Sequence, residues 1–283
     1  LGEVVGWVRD EARNVAVRGA SVQARISGVG SHGERMEAAR AAAAELWSTT
    51  LSHYLLRMKD NPDTSGRARA MLVTGSYDEA EAVATGLRHA AGSGLAIRHL
   101  VSDSENGRSS PDALSRAQLE TFGHVPGPAV LVGPLSVVAR GHNILQPNSQ
   151  LSALSGIFVL TRPVPPSHDA DRFLAHIAYN ARLTPPEWRD SPSRTVDAER
   201  AAAWKRLRAL QRSSATFRHM DDGLRRELIC DVLVDLAQLA GRARRGGTPV
   251  DLFFVDGAFA DEVVPWTRLV GEVLDWWRSG GWL

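Results

Sequence analysis

The sequence predicts an α/β fold: a parallel β-sheet with helices on both faces, together with an N-terminal helical lead-in and a helical insert. Three observations predict it. Short apolar runs alternate with segments whose apolar residues recur at helical spacing, the rhythm of strands buried on both faces. Two Ser-x-x-Glu sequences, Ser31-His32-Gly33-Glu34 and Ser76-Tyr77-Asp78-Glu79, each open a helical pattern as a capping box does. The chain's 283 residues, 43% hydrophobic and 23% charged, are enough to bury one large core.

Residues 1–65 form the expected lead-in, with one long helix. Val4-Val5-Gly6-Trp7-Val8 and Val22-Gln23-Ala24-Arg25-Ile26 read as strand or loop. After Ser31, the residues Met36, Ala39, Ala43, Trp47, Thr50, Tyr54 and Met58 make one apolar stripe. Asp60-Asn61-Pro62-Asp63-Thr64-Ser65-Gly66 ends the helix and reads as a linker.

Residues 66–283 carry the alternating pattern. Strands are expected at 70–73, 96–101, 129–132, 156–160 and 250–255. Ala80, Val83, Ala84 and Leu87 define the buried side of the helix capped by Ser76. Ser110-Pro111 predicts a further helix, with proline in its first turn. Residues of about 162–228 break the rhythm with Arg162-Pro163-Val164-Pro165-Pro166, Pro185-Pro186 and a charged helix near 197–212, and read as an insert between core strands.

Composition excludes several classes. No apolar run approaches the roughly 20 residues of a membrane-spanning helix. The N-terminus lacks the charge and apolar pattern of a signal peptide, and its start at Leu1 suggests trimming or excision from a longer protein. Cys230 is the only cysteine, which excludes an intrachain disulfide and a cysteine-built zinc site and predicts a reducing cytoplasm. A formal charge of +1 gives no global field for nucleic acid. Lysine occurs only at Lys59, after Met58, and Lys205, after Trp204, so no Gly-Lys-Ser/Thr phosphate loop exists.

The most specific motif is Gln238-Leu239-Ala240-Gly241-Arg242-Ala243-Arg244-Arg245 at the end of a helix expected from about 228 to 243. Planar guanidinium groups donate to two phosphate oxygens at once, which suits a transferring γ-phosphoryl group. Upstream, Val130-Leu131-Val132 leads to Ser136-Val137-Val138-Ala139-Arg140-Gly141-His142-Asn143-Ile144, where Gly141 suits a tight turn and Asn143 a ribose or loop hydrogen bond. Two acidic sequences invite a metal reading. Asp78-Glu79 sits in a cap rather than at a strand end, and Asp256, which does end a strand, lacks the phosphate loop it would serve.

These motifs resemble, in order, those of the C-terminal RecA-like lobe of superfamily 2 helicases. Met71 to Ala80 resembles motif IV, the run ending at Asn143 resembles motif V, and Gln238 to Arg245 resembles motif VI. The resemblance covers about residues 66–160 and 228–260. Leu135, with Ser136 beside it, replaces the usual motif V threonine. The long insert resembles that of iron–sulfur repair helicases, without their cluster cysteines. More distantly, the chain resembles the helicase-like proteins encoded beside prokaryotic Piwi nucleases in defence islands.

The resemblance implies half of an ATP and Mg²⁺ site, completed by an N-terminal RecA-like lobe of the same or another chain, and closing of two lobes along single-stranded or duplex nucleic acid. Arg242 and Arg245 would stabilise the γ-phosphoryl group, with Arg244 as substitute. Gln238, Gly241, Gly141 and Asn143 would contact nucleotide, and Ser136 and Arg140 the nucleic acid. A degenerate lobe serving as an interaction module, and a nucleotide-sugar-binding lobe of a glycosyltransferase, stay open. Trp266, Trp276, Trp277 and Trp282 suit packing or base stacking.

Overall fold

The computed structural model describes residues 15–19, 25–102, 110–139, 142–163, 197–198, 200–205, 208, 222–260, 268, 271–272, 275 and 279. The four C-terminal tryptophans, Arg140, Gly141 and the two N-terminal apolar stretches apart from Arg25 and Ile26 lie outside them. Two compact units divide the chain, residues 1–163 with 230–283, and residues 164–229. In the second unit, the described positions between 197 and 208 are helical and Trp204 is exposed. No helix among the described residues is long and apolar enough to cross a membrane.

The first unit is built on a seven-stranded sheet. Its strands are β1 (Val15–Gly19), β2 (Arg69–Thr74), β3 (Ala96–Leu100), β4 (Ala113–Leu114), β5 (Ala129–Pro134), β6 (Gly156–Val159) and β7 (Val250–Phe254). Their order is β1-β7-β6-β2-β5-β3-β4, and every neighbouring pair is parallel. This is the RecA-like α/β class that the sequence predicts. The lead-in belongs to the same unit, because β1 pairs with β7 from Val15↔Val250 to Gly19↔Phe254.

Alternation along the strands separates two faces. One face presents Leu72, Val130, Val132, Phe158 and Phe253 to the helices α1 (His32–Leu46), α2 (Ser52–Asp60) and α3 (Tyr77–Ala91). Tyr54 meets Phe158 and Phe253 edge-on at 5.5 and 5.4 Å, and those two rings stack at 4.2 Å. Gly86 lets α3 cross α1 closely, since a methyl group there would overlap the Arg40 backbone carbonyl.

The long lead-in helix is not uniform. A π-turn at Trp47–Leu51 separates α1 from α2. Its added residue shifts the buried stripe from Leu46 to Leu51 and then to Tyr54 and Leu55, while Thr50 is only half-buried. Ser31 closes a complete capping box with Glu34. Ser76 Oγ accepts from the Glu79 N–H at 3.2 Å, but the Glu79 carboxylate turns instead to the Gly75 N–H and the Thr161 hydroxyl, at 2.8 and 3.0 Å. Asp78-Glu79 is thus a helix cap.

Two sequence expectations need correction. The helix expected from Ser110-Pro111 starts later: residues 113–114 form β4, and a 3₁₀ helix spans Arg116–His124. Ser110 Oγ accepts from the Asp112 N–H in a local turn, and the Asp112 carboxylate pairs with Arg88 and Arg98, which draws the chain onto the sheet edge first. Ser115 is the cap, its N–H donating to Gln118 Oε1 at 3.0 Å. The stretch read as a linker, 60–66, is a largely exposed turn inside the first unit. Thr64 Oγ1 donates to the Met58 carbonyl at 2.9 Å, and the turn leads directly into buried Arg67.

Arg67 is only 4% exposed, and its guanidinium gathers backbone carbonyls from three segments: Ser152 at 3.0 Å, Leu154, Ala243 at 3.5 Å and Pro249 at 2.6 Å. Burial lowers its pKa from the usual arginine range. Asp256 performs the converse task beyond β7. Its carboxylate accepts from the backbone N–H groups of Ile26, Ser27, Arg162 and Ala258, at 3.3, 2.9, 3.4 and 2.9 Å. The acid that best matched a metal-binding strand end is therefore a tie among three segments.

Both knots yield the same expectation. Arg67→Met and Asp256→Ala each strand several buried backbone groups, and each should lower the unfolding free energy by about 3 kcal/mol or more. Urea denaturation checks this; an unchanged midpoint for either variant would remove its knot from the account.

Candidate functional site

The second face of the sheet carries the candidate site. Here β5 ends in a single helical turn, α4 (Leu135–Val138), followed by Ala139, and His142, Asn143 and Ile144 lie further along the chain. The 3₁₀ helix of Arg116–His124 and the helix α5 (Asp222–Ala243) supply its neighbours. Val138, Ile144, Leu119 and Leu239 meet over Met71 around a small recess that also touches His142 and Arg242. Gly123 seats the 3₁₀ helix against this segment, because a methyl group there would overlap the Leu145 carbonyl.

Helical periodicity sorts the motif at the end of α5. Leu236, Leu239, Ala240 and Ala243 are buried, while Val234, Gln238 and Gly241 form an exposed stripe. Arg245 follows, exposed, in a 3₁₀ turn at Arg245–Gly247, where Gly246 takes a φ of +75°. Arg244 is half-buried. Arg242 lies at the flank and reaches back across the recess. Its Nε donates to the Ala139 carbonyl and its Nη1 to the His142 carbonyl, both at 3.2 Å.

The structure thus joins two segments the sequence separates, Arg242 being 103 residues from Ala139 and 100 from His142. Asn143 is in the same cluster: its N–H donates to Glu120 Oε1 at 2.9 Å, while its side-chain Oδ1 is buried without a hydrogen-bond partner among the described residues. Ser136 is exposed on α4, near the start of the segment rather than beside Arg242. Gln238 and Gly241 face outward, and a methyl group on Gly241 would meet no atom within 4 Å. The closeness that Gly241 suggested is therefore not an approach to this chain's described residues.

Sequence reasoning missed Arg116, Glu120 and His142. Arg116 Nε donates to His142 Nε2 at 3.3 Å, which makes that nitrogen the acceptor and places the ring proton on Nδ1. An Arg-x-x-x-Glu pair on an exposed helical face reads as a solvated ion pair, so only tertiary structure reveals its partners. Among the described residues, no cluster of three or more His, Cys, Asp or Glu could hold a metal ion. No family model matches the chain, and no curated protein matches it at a significant level.

The histidine environment has a pH consequence. Burial first, and then Arg116, hold His142 below the ordinary histidine range; Glu120 opposes them and Arg242 adds to the depression. His99, buried on β3 and accepting from Arg88 at 3.1 Å, is lowered by burial first and then by Arg88, against Glu81 and Asp112. A lowered folded-state pKa means that the unfolded chain takes up protons first as the pH falls. Stability from both groups should be complete above about pH 6.5 and be lost progressively below it. Thermal melts from about pH 7.5 to about pH 5 should show a falling Tm, with a shallower fall in a His99→Asn, His142→Asn double variant. Equal slopes would contradict the assignment.

Proposed function

We propose that this chain is the second lobe of an ATP-dependent nucleic-acid helicase or translocase, supplying one half of a nucleotide site. The observation that carries the reading is the contact of Arg242 with the Ala139 and His142 carbonyls, which unites the two motif-like segments in one notch. A phosphoryl-transfer half-site needs fixed cationic donors and a closely held loop beside them. Both lie on the second face, at the end of α5.

The residues fit a nucleotide. Arg245 is exposed at the end of the Gln238–Gly241 stripe, with open space over Gly241 for a phosphate chain or a facing lobe. Arg244 adds a second guanidinium nearby in sequence. Arg242 has committed Nε and Nη1 to the loop, and its Nη2 has no hydrogen bond among the described residues. Asn143 Oδ1 is an acceptor without a donor among the described residues, suited to a ribose hydroxyl. The absence of a Gly-Lys-Ser/Thr loop assigns the main phosphate cradle and Mg²⁺ to a complementary lobe.

In this reading, lobe closure brings Arg245 onto the γ-phosphoryl oxygens, where it spreads the charge that develops as the bond to the leaving phosphate lengthens. Asn143 holds the ribose and couples nucleotide occupancy to the motif V-like run, in which Ser136, and by the sequence resemblance Arg140, would meet the nucleic-acid backbone. A non-catalytic interaction module is the second reading. It is favoured by Leu135 at the position where the related motif has threonine, and by the structural use of two Arg242 nitrogens.

Nucleic-acid-stimulated ATP hydrolysis by the native polypeptide that carries this chain separates the two. Arg245→Ala should lower kcat by about 10³-fold, the lower end of an arginine finger's contribution. The isolated chain should be inactive. Hydrolysis by the native polypeptide that ignores the substitution, or no hydrolysis in any form, would leave the interaction module as the account.

A further inference from the structure

We propose that Glu120 and Arg242 are positioning residues that clamp the single peptide group between His142 and Asn143 and thereby present the Asn143 side chain to the ligand. The oxygen of that peptide group belongs to His142 and accepts from Arg242 Nη1 at 3.2 Å. Its N–H belongs to Asn143 and donates to Glu120 Oε1 at 2.9 Å. A guanidinium on α5 and a carboxylate on the 3₁₀ helix therefore grip opposite ends of one peptide dipole, each with the charge that end attracts. Rotation of the peptide plane breaks both contacts together. Neither charged group is satisfied by the other orientation.

Three further contacts support the clamp. Arg242 Nε holds the Ala139 carbonyl, so the segment is fixed at a second point. Arg116 Nε holds the His142 ring, fixing the side chain preceding the clamped group. Close packing of Gly123 on Leu145 sets the distance between the 3₁₀ helix and the segment. With its backbone N–H engaged, Asn143 keeps a buried Oδ1 that no donor among the described residues reaches. Glu120 therefore acts through Asn143 and not on a ligand, and Arg242 acts chiefly through the loop. The identity of the ligand rests on the nucleotide-site reading above; the clamp itself does not.

The test uses the native polypeptide, with residue-resolved hydrogen exchange at the Asn143 amide and ATP hydrolysis measured side by side. Glu120→Ala and Arg242→Ala should each speed Asn143 exchange by about tenfold, the change expected on losing a charge-assisted hydrogen bond. Glu120→Gln keeps a carbonyl acceptor at the same reach and should restore slow exchange. Hydrolysis should show the same order, with KM for ATP rising more than kcat falls in Glu120→Ala and recovering in Glu120→Gln. Exchange unchanged by Glu120→Ala, or Glu120→Gln behaving like Glu120→Ala, would overturn the clamp. Slow exchange lost and restored as stated, in a protein that hydrolyses no ATP, would uphold the clamp and overturn the nucleotide reading.

Discussion

The candidate site depends on a buried arginine outside it. Arg67 collects the carbonyls of Ser152, Leu154, Ala243 and Pro249, which belong to the turn before β6, the end of α5 and the entry to β7. A guanidinium offers five donors in a rigid fork, and here it answers backbone acceptors that would otherwise be buried and unmet. Fixing the Ala243 carbonyl fixes the end of α5. Arg242 and Arg245 are then presented at defined places, one toward the Ala139 and His142 carbonyls and the other toward open space.

The two faces of the sheet divide the work. The first is an apolar interface, in which α1 and α3 cross at Gly86 and Tyr54 wedges against the Phe158–Phe253 stack. Close packing of this kind has little capacity to move. The second face is packed too, through Met71, Leu119, Val138, Ile144 and Leu239, and adds charged contacts to the His142–Asn143 segment through Arg242, Glu120 and Arg116. Such contacts to uncharged backbone groups are individually modest.

The parallel sheet was legible in the sequence because its central strands are continuous apolar runs, and β2, β5, β6 and β7 fall within a residue or two of where those runs lie. Ser31 and Ser76 marked helix starts because capping is local chemistry. What failed was set by tertiary contacts. β1 is short and flanked by similar apolar stretches, so nothing nearby marked Val15–Gly19 as the partner of β7. Asp112 drew the chain onto the sheet edge and displaced the expected helix to Arg116. In the site, Arg242, Arg245 and Asn143 were legible as motif residues. The clamp was not, since Glu120 and Arg116 acquire meaning only when the peptide between His142 and Asn143 is folded between two elements.

Under the proposed function, the end of α5 and the His142–Asn143 segment face one bound nucleotide. Photo-crosslinking with an ATP analogue that carries its reactive group on the γ-phosphate, followed by peptide mapping in the native polypeptide, addresses it directly. Labelling of the peptide containing Arg244 and Arg245, suppressed by excess ATP, is the expected result. ATP-protected labelling confined to other parts of the protein would contradict the claim and return α5 to a purely structural role.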